Sequence, residues 1–205
     1  MKESNISLYS VANAAIFKEN NGPYGAFSNM SSRHPLVVND IKIRTVEALY
    51  QSFKFTSHPE IQQVIIEQKS PMAAKYKAIK YKEFIRKDWD EIKLSIMEWC
   101  VRVKISQNYS TFGSKLLETA DLMIVEYSSR DSFWGADYID NNSLSGENHL
   151  GKILMKLREE LKTTSSSSSF DVTIPKIKNL FLYGEPIKQV VKNIEHIKYD
   201  QVKLF

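Results

Sequence analysis

The eleven residues Thr45 to Phe55, TVEALYQSFKF, constrain most strongly what this chain can fold into. On a helix of about 3.6 residues per turn, Val46, Leu49, Tyr50 and Phe53 share one apolar stripe, the i, i+3, i+4, i+7 pattern of a core-facing helix. Glu47, Gln51 and Lys54 make a second stripe, each one residue on from a core position, so the polar stripe lies beside the buried one and not opposite it. At roughly 1.5 Å per residue, Glu47 and Lys54 stand roughly 10 Å apart along the axis, too far for a direct ion pair and suited to a sugar-sized group between them. A helix wall that lines a pocket looks like this. A solvated face with ordinary i,i+4 contacts is the alternative, and the rest of the chain has to weigh between them.

The 205 residues suffice for one well-buried domain with an appendage. A net charge of +4, from 28 basic and 24 acidic residues, is compatible with an anionic ligand such as phosphate or nucleic acid without requiring one. Cys100 is the single cysteine, so no intramolecular disulfide can form; it sits in an apolar helical pattern and reads as a buried structural thiol in a reducing compartment. Met1-Lys2-Glu3-Ser4-Asn5 leads into no apolar core of signal-peptide length, and no run of about 18 apolar residues occurs. The expectation is a cytoplasmic protein without a membrane span.

Residues 6–27 mix short apolar runs with Asn20-Asn21-Gly22-Pro23, a turn signal. Leu36-Val37-Val38 and Ile41-Lys42-Ile43 read as two short strands about a tight turn, with Thr45 as N-cap of the helix that follows. Helices are expected over Glu60 to Gln68, over Pro71 to Ile79 with Ser70 as cap, and over Trp89 to about Ser106 with Asp88 as cap. Ile92, Ile96, Trp99, Cys100 and Val103 make the last of these the central core helix. A basic run, Lys75, Lys77, Lys80 and Lys82, follows the second. Further on come a short helix over Ser114 to Thr119, a buried strand over Leu122 to Tyr127, an irregular Gly- and Asn-rich segment from Asp131 to Gly146, and a helix over Asn148 to Leu161. Thr163 to Ser169 has the hydroxyl-only composition of a linker. The organisation expected is a domain over 1–162, a Ser-rich linker over 163–169 and an extension over 170–205. That extension is too short for its own core, carries a suggested helix around Val190, Ile194 and Ile197, and either docks or serves a partner.

Neither the dinucleotide Gly fingerprint nor the phosphate-loop Gly-Lys-Ser/Thr pattern occurs. His34, His58, His149 and His196 lack the spacing and Cys partners of a zinc site, so neither a metal nor a cofactor is expected. What remains is a set of polar and aromatic residues in loops and at helix starts: Asn29, Arg86, Asp88, Trp89, Asp131, Trp134, Gly135, Asn148 and Arg158. Trp134 lies in a loop with no periodic core face, where stacking on a base competes with plain loop packing. Trp89 can be a first-turn core residue, Asp88 an ordinary cap, and either arginine a surface ion-pair partner.

In order, Phe27-Ser28-Asn29, Thr45-Val46-Glu47 with Tyr50-Gln51 and Lys54-Phe55, Arg86-Lys87-Asp88-Trp89 with Lys93 and Met97, Val125-Glu126, Asp131, Phe133-Trp134-Gly135, and Asn148 with Leu150-Gly151 and Leu154 to Arg158 resemble the NADAR superfamily, also called YbiA-like. The resemblance covers roughly residues 20–161 and implies a compact, mainly helical α+β fold with a few short strands. It implies an N-glycosidase splitting a ribosyl C1–N bond. Substrates in such a family include ADP-ribose attached to guanine in nucleic acid or a nucleotide and ribosylated pyrimidine intermediates of riboflavin synthesis. Two departures, Ala48 where a His often follows the glutamate and Ala78-Ile79 where a Gly-Arg pair is common, bear on the substrate branch.

Breaking that bond builds positive charge at the anomeric carbon while the departing nitrogen needs a proton. Glu47 is assigned as acid/base, Gln51 as orienting the ribose or water, Lys54 as a covalent participant and Asp131 as a second carboxylate. Trp89 and Trp134, with Gly135 beside it, would line the site or stack on the leaving base, Asn29 would bond to ribose, Arg86 and Arg158 would hold phosphate or serve structurally, and Asn148 completes the set. The rivals are a non-catalytic ADP-ribose or nucleotide binding module, and nucleic-acid binding without chemistry through the basic run.

Overall fold

The computed structural model describes residues 6–166 and 169–192. In chain order the elements are β1 (Ser7–Ser10), β2 (Ala14–Phe17), β3 (Leu36–Val38), β4 (Ile41–Ile43), α1 (Val46–Ser52), α2 (Pro59–Ile66), α3 (Pro71–Lys80), α4 (Trp89–Gln107), α5 (Ser114–Leu117), β5 (Met123–Glu126), β6 (Asp137–Asp140), β7 (Ser143–Gly146), α6 (His149–Lys162), β8 (Phe181–Leu182) and β9 (Glu185–Pro186). The fold is α+β, with longer helices and several small sheets. No helix of the described residues is long and apolar enough to cross a membrane. Contacts divide the described residues into two compact units, 6–28 with 113–165 and 29–112 with 166 and 169–192.

In the first unit an antiparallel sheet runs β1-β7-β6, and β2 pairs in parallel with β5. Tyr9, Val125, Ala136 and Leu144 form its apolar cluster. The sequence shows no strand signal at β1 or β2 and reads as irregular over 131–146, whereas β6 and β7 form a hairpin. The reason is physical: β1 finds its partner β7 139 residues on, at Ser7–Gly146, and Tyr138 and Ile139 of β6 remain exposed, so no half-buried alternation marks the strand. Helix α6 presses on β5 through Gly151, where a Cβ would collide with the Ile124 carbonyl.

In the second unit the β3–β4 hairpin turns through Asn39 and Asp40, both at positive φ (50° and 62°), the geometry of a tight two-residue turn. Thr45 caps α1 as expected, its Oγ1 accepting the Ala48 amide at 3.2 Å. Asp88 does occupy the cap position of α4, yet its carboxylate is turned to Arg86 and not to the helix amides. Phe53 and Trp99 meet edge to face at 5.7 Å in the core, and Cys100 is buried beside them, where burial raises its thiol pKa well above the ordinary value.

The described part of the carboxyl-terminal segment packs into this second unit. Phe170 and Leu182 are buried, and Arg102 lies over the Phe170 ring at 5.8 Å. Gln62 donates to the Phe181 carbonyl and accepts the Tyr183 amide, while Gln107 bridges both backbone groups of Val37 to the Val191 carbonyl. Of the helix suggested around Val190, Ile194 and Ile197, Val190 lies in irregular chain and the other two fall outside the described residues. A docked segment of this kind is not dispensable. Phe170→Ala is expected to cost about 3 kcal/mol, and ending the chain at Lys162 more, read as a fall in melting temperature. An unchanged melting temperature on truncation would return the segment to the status of an appendage.

Lys104 is buried near the end of α4, its Nζ 4.1 Å from the Phe112 ring centroid, and burial lowers its pKa to about 7. Between about pH 7 and its unfolded value of 10.5 the unfolded chain therefore binds more protons than the folded one. Stability should rise with pH across that window. Denaturation midpoints from pH 6.5 to 9.5 check this, and Lys104→Met should flatten the slope.

Candidate active site

Helix α1 is buried along its whole length, and Glu47 and Gln51 are only 7% and 5% exposed. The stripe beside the core is thus enclosed, which rules out the solvated-face reading for these two residues. Gln51 Nε2 donates to Glu47 Oε1 at 2.9 Å, one helical turn away, fixing the carboxylate's orientation. The Glu47 amide donates to the Asn29 carbonyl at 3.0 Å, tying the Ser28-Asn29 loop to the start of α1. Asn29 itself is 6% exposed. Its Nδ2 donates to Met97 Sδ at 3.1 Å, and its Oδ1 is buried without a protein partner among the described residues, an acceptor for which desolvation has to be offset by something.

After Ser52 the helix tightens into a single 3-10 turn, Phe53–Phe55, that carries Lys54. The Lys54 ammonium lies 5.5 Å from the Trp89 ring centroid and 5.8 Å from that of Tyr50, and those two rings are 5.0 Å apart. Both aromatics are at least nine-tenths buried. Burial lowers the Lys54 pKa below 10.5, Glu47 opposes that shift, and Lys75 and Lys93 add to it by like-charge repulsion. A buried carboxylate oriented by an amide, an amine biased toward its neutral form and an aromatic wall are the parts of an acid/base and nucleophile site.

The remaining sequence candidates have other tasks in this structure. Arg86 pairs with Asp88 through both carboxylate oxygens at 2.7 and 3.0 Å, and also donates to Thr56 Oγ1 and to the Lys178 and Asn179 carbonyls. This is a clamp on the carboxyl-terminal segment, and the pairing with Arg86 holds the Asp88 carboxyl below its usual pKa. Through its own backbone amide Arg86 also binds the Lys54 carbonyl at 2.9 Å, so the clamp supports the lysine turn. The other residues belong to the first unit. Arg158 is spent on Thr119 Oγ1, the Leu122 carbonyl and Glu159. Asn148, in left-handed conformation and fully buried, bridges the Glu126 amide and the Ile124 carbonyl of β5. Asp131 Oδ1 accepts the Trp134 amide and shapes its turn, and Gly135 is where a Cβ would meet the Glu126 carbonyl. Trp134 packs with Phe133 and His149 at 5.0 and 6.4 Å. Arg86 and Arg158 thus bond to carbonyls, hydroxyls and carboxylates of the protein itself, as structural arginines do.

A model of the NADAR domain matches residues 16–162, well over half of the chain. The chain belongs to the NADAR family. An N-glycosidase of Nostoc punctiforme is 36% identical over 146 residues, covering 70% of this chain and 90% of that protein. The N-glycosidase YbiA of Escherichia coli is 30% identical over 161 residues, covering 78% and 91%. A maize chloroplast protein named for riboflavin biosynthesis, PYRR, is 32% identical over 160 residues that make up 25% of its length. The NMR structure of E. coli YbiA superimposes with a TM-score of 0.63 at 30% identity, over 74% of this chain and 86% of that one. These relatives place the chain among hydrolases acting on N-glycosyl bonds.

The NADAR match spans every candidate from Asn29 to Arg158 and leaves the docked carboxyl-terminal segment outside. Periodicity puts Tyr50 on the core stripe and gives no sign that Lys75 lies near Lys54. The signal for Tyr50 was its position one residue before Gln51, on the border between the two stripes. Among the described residues no three His, Cys, Asp or Glu side chains gather in the manner of a metal site.

Proposed function

We propose that this NADAR-family chain hydrolyses a ribosyl C1–N bond and that Glu47 and Lys54 carry the reaction. The observation behind the proposal is the enclosed Glu47–Gln51 pair on α1, with Lys54 on the turn that follows, held against Tyr50 and Trp89. Glu47 gives its proton to the departing nitrogen as the C1–N bond breaks, and that bond's electron pair leaves with the base. The Lys54 amine captures the anomeric carbon, and the bond from that carbon to the ring oxygen then breaks as the amine's proton passes to that oxygen, giving an open-chain imine. A water molecule then returns the free sugar and the amine. The sum is addition of one water across the C1–N bond. Asn29 Oδ1, a buried acceptor, receives a ribose hydroxyl, and Trp89 walls the site.

The substrate proposed is ADP-ribose on guanine, in nucleic acid or a nucleotide, and the compartment the reducing cytoplasm that the buried thiol of Cys100 suits. A second reading has its own observation: the maize relative's name refers to riboflavin biosynthesis, which makes phosphoribosylated aminopyrimidines the competing substrate. A panel of ribosyl adducts, assayed for released base, decides between them. Release of ADP-ribose from ADP-ribosylated guanosine supports the first reading. Turnover of phosphoribosyl aminopyrimidine alone supports the second, and binding with no released base from any adduct leaves a non-catalytic module.

A further inference from the structure

Helix α3 turns a face to solvent that the active site does not use. Met72, Tyr76 and Ile79 are 46%, 60% and 55% exposed. At about 100° per residue these three fall within one narrow arc, while Ala74 and Ala78 on the opposite side are buried in the unit's core. Lys75 borders the arc on one side and Lys80 on the other, with Lys77 further round the helix beyond Lys80. Phe84, 44% exposed, prolongs the apolar surface past the helix end, next to Lys82. Residues 69–87 hold seven basic side chains and one acidic, Glu83. The helix is ten residues, roughly 15 Å, and it packs on α1, the helix of Glu47. Lys75 is near enough to Lys54 to repel its charge, so one flank of this surface borders the lysine of the proposed reaction.

We infer that the Met72/Tyr76/Ile79 arc of α3, with its flanking lysines and Phe84, is a docking surface for single-stranded nucleic acid. An exposed aromatic between lysines offers what an unpaired strand needs, a ring for a base to stack on and cations for the phosphates on either side. An acidic protein surface would match the lysines but leave the aromatic unused. The apolar arc is also too short for an amphipathic helix that lies in a lipid surface. The surface would present a strand to the neighbouring α1 helix and thus rests, for its biological use, on the reading that the ADP-ribosylated guanine is carried in nucleic acid.

The test separates the two. Binding of the full chain to an unmodified fluorescent twelve-residue oligothymidylate is followed by anisotropy from 50 to 200 mM salt, and turnover is followed on free ADP-ribosylated guanosine. Binding should weaken with salt with a logarithmic slope of about −2 to −3, for three or four phosphates met by lysines. Lys77→Gln with Lys80→Gln should reduce that slope by roughly 1.4. Tyr76→Ala should weaken binding about tenfold, and Tyr76→Trp should restore it. All of these variants should process the free nucleoside at the wild-type rate. No oligonucleotide binding at 50 mM salt, binding indifferent to the α3 variants, or tighter binding to polyglutamate or to phosphatidylserine vesicles than to the oligonucleotide would overturn the inference, whatever the nucleoside assay gives.

Discussion

Glu47→Gln is expected to lower kcat on a ribosyl adduct by roughly two orders of magnitude or more, with ligand affinity within a few-fold of wild type. The substitution keeps the shape of the side chain and a hydrogen-bonding contact with Gln51 but removes the proton that the leaving nitrogen needs. The enclosure of Glu47 makes the test clean, because bulk acid does not reach the place of a buried carboxylate. Folding is monitored by the melting temperature, and kcat by single-turnover release of base. A folded Glu47→Gln protein with unchanged kcat would sink the assignment of Glu47 as acid. Gln51→Leu is the companion variant. It leaves the carboxylate in place without its 2.9 Å partner, so kcat should fall while the pH profile shifts, which a purely structural role would not produce.

The second large effect is at Lys54. Lys54→Arg keeps the cation against Tyr50 and Trp89 but cannot form an imine, so the covalent route predicts near-complete loss of turnover, and an electrostatic role predicts partial retention. Burial, helped by Lys75 and Lys93 and opposed by Glu47, lowers the lysine's pKa. The neutral amine is the reacting form, so kcat/KM should climb with pH through that lowered pKa, on an acid limb that disappears in the arginine variant. The sign for stability is the same as at Lys104: a lysine whose folded pKa is depressed penalises the fold where it is charged, and that penalty fades as pH rises. Borohydride added during turnover should leave a ribosyl adduct on the wild-type protein, visible by intact mass. No adduct, together with an active Lys54→Arg protein, would leave Glu47 and water as the chemistry.

Much of this was legible in the chain because it is local. The Thr45 cap, the two-stripe pattern of α1, the turn at Asn39-Asp40 and the long periodicity of α4 are properties of neighbouring residues. Strands β1 and β2 were not legible because their pairing joins residues more than a hundred positions apart, and hairpin β6–β7, though local, leaves Tyr138 and Ile139 exposed and so shows no half-buried alternation. The arginines show the limit most clearly. A lone arginine in a sequence has the chemistry of a phosphate ligand, and only the carbonyls of Lys178 and Asn179 around Arg86, or that of Leu122 at Arg158, reveal where its donors go.

The sequence by itself determined the helix that carries Glu47 and Gln51, the family, and so the class of reaction. The helix follows from spacing and residue type along the chain, and the family and reaction class from the resemblance of its ordered blocks to the NADAR family. Only the tertiary structure decided that the Glu47–Gln51 stripe is enclosed, that Tyr50 joins Trp89 against Lys54, and that the carboxyl-terminal segment is docked on Gln62, Arg86 and Gln107. Burial is a property of what the rest of the chain places over a residue. No periodicity within α1 could show it, since a solvated stripe and a pocket wall have the same spacing and differ only in what lies against them.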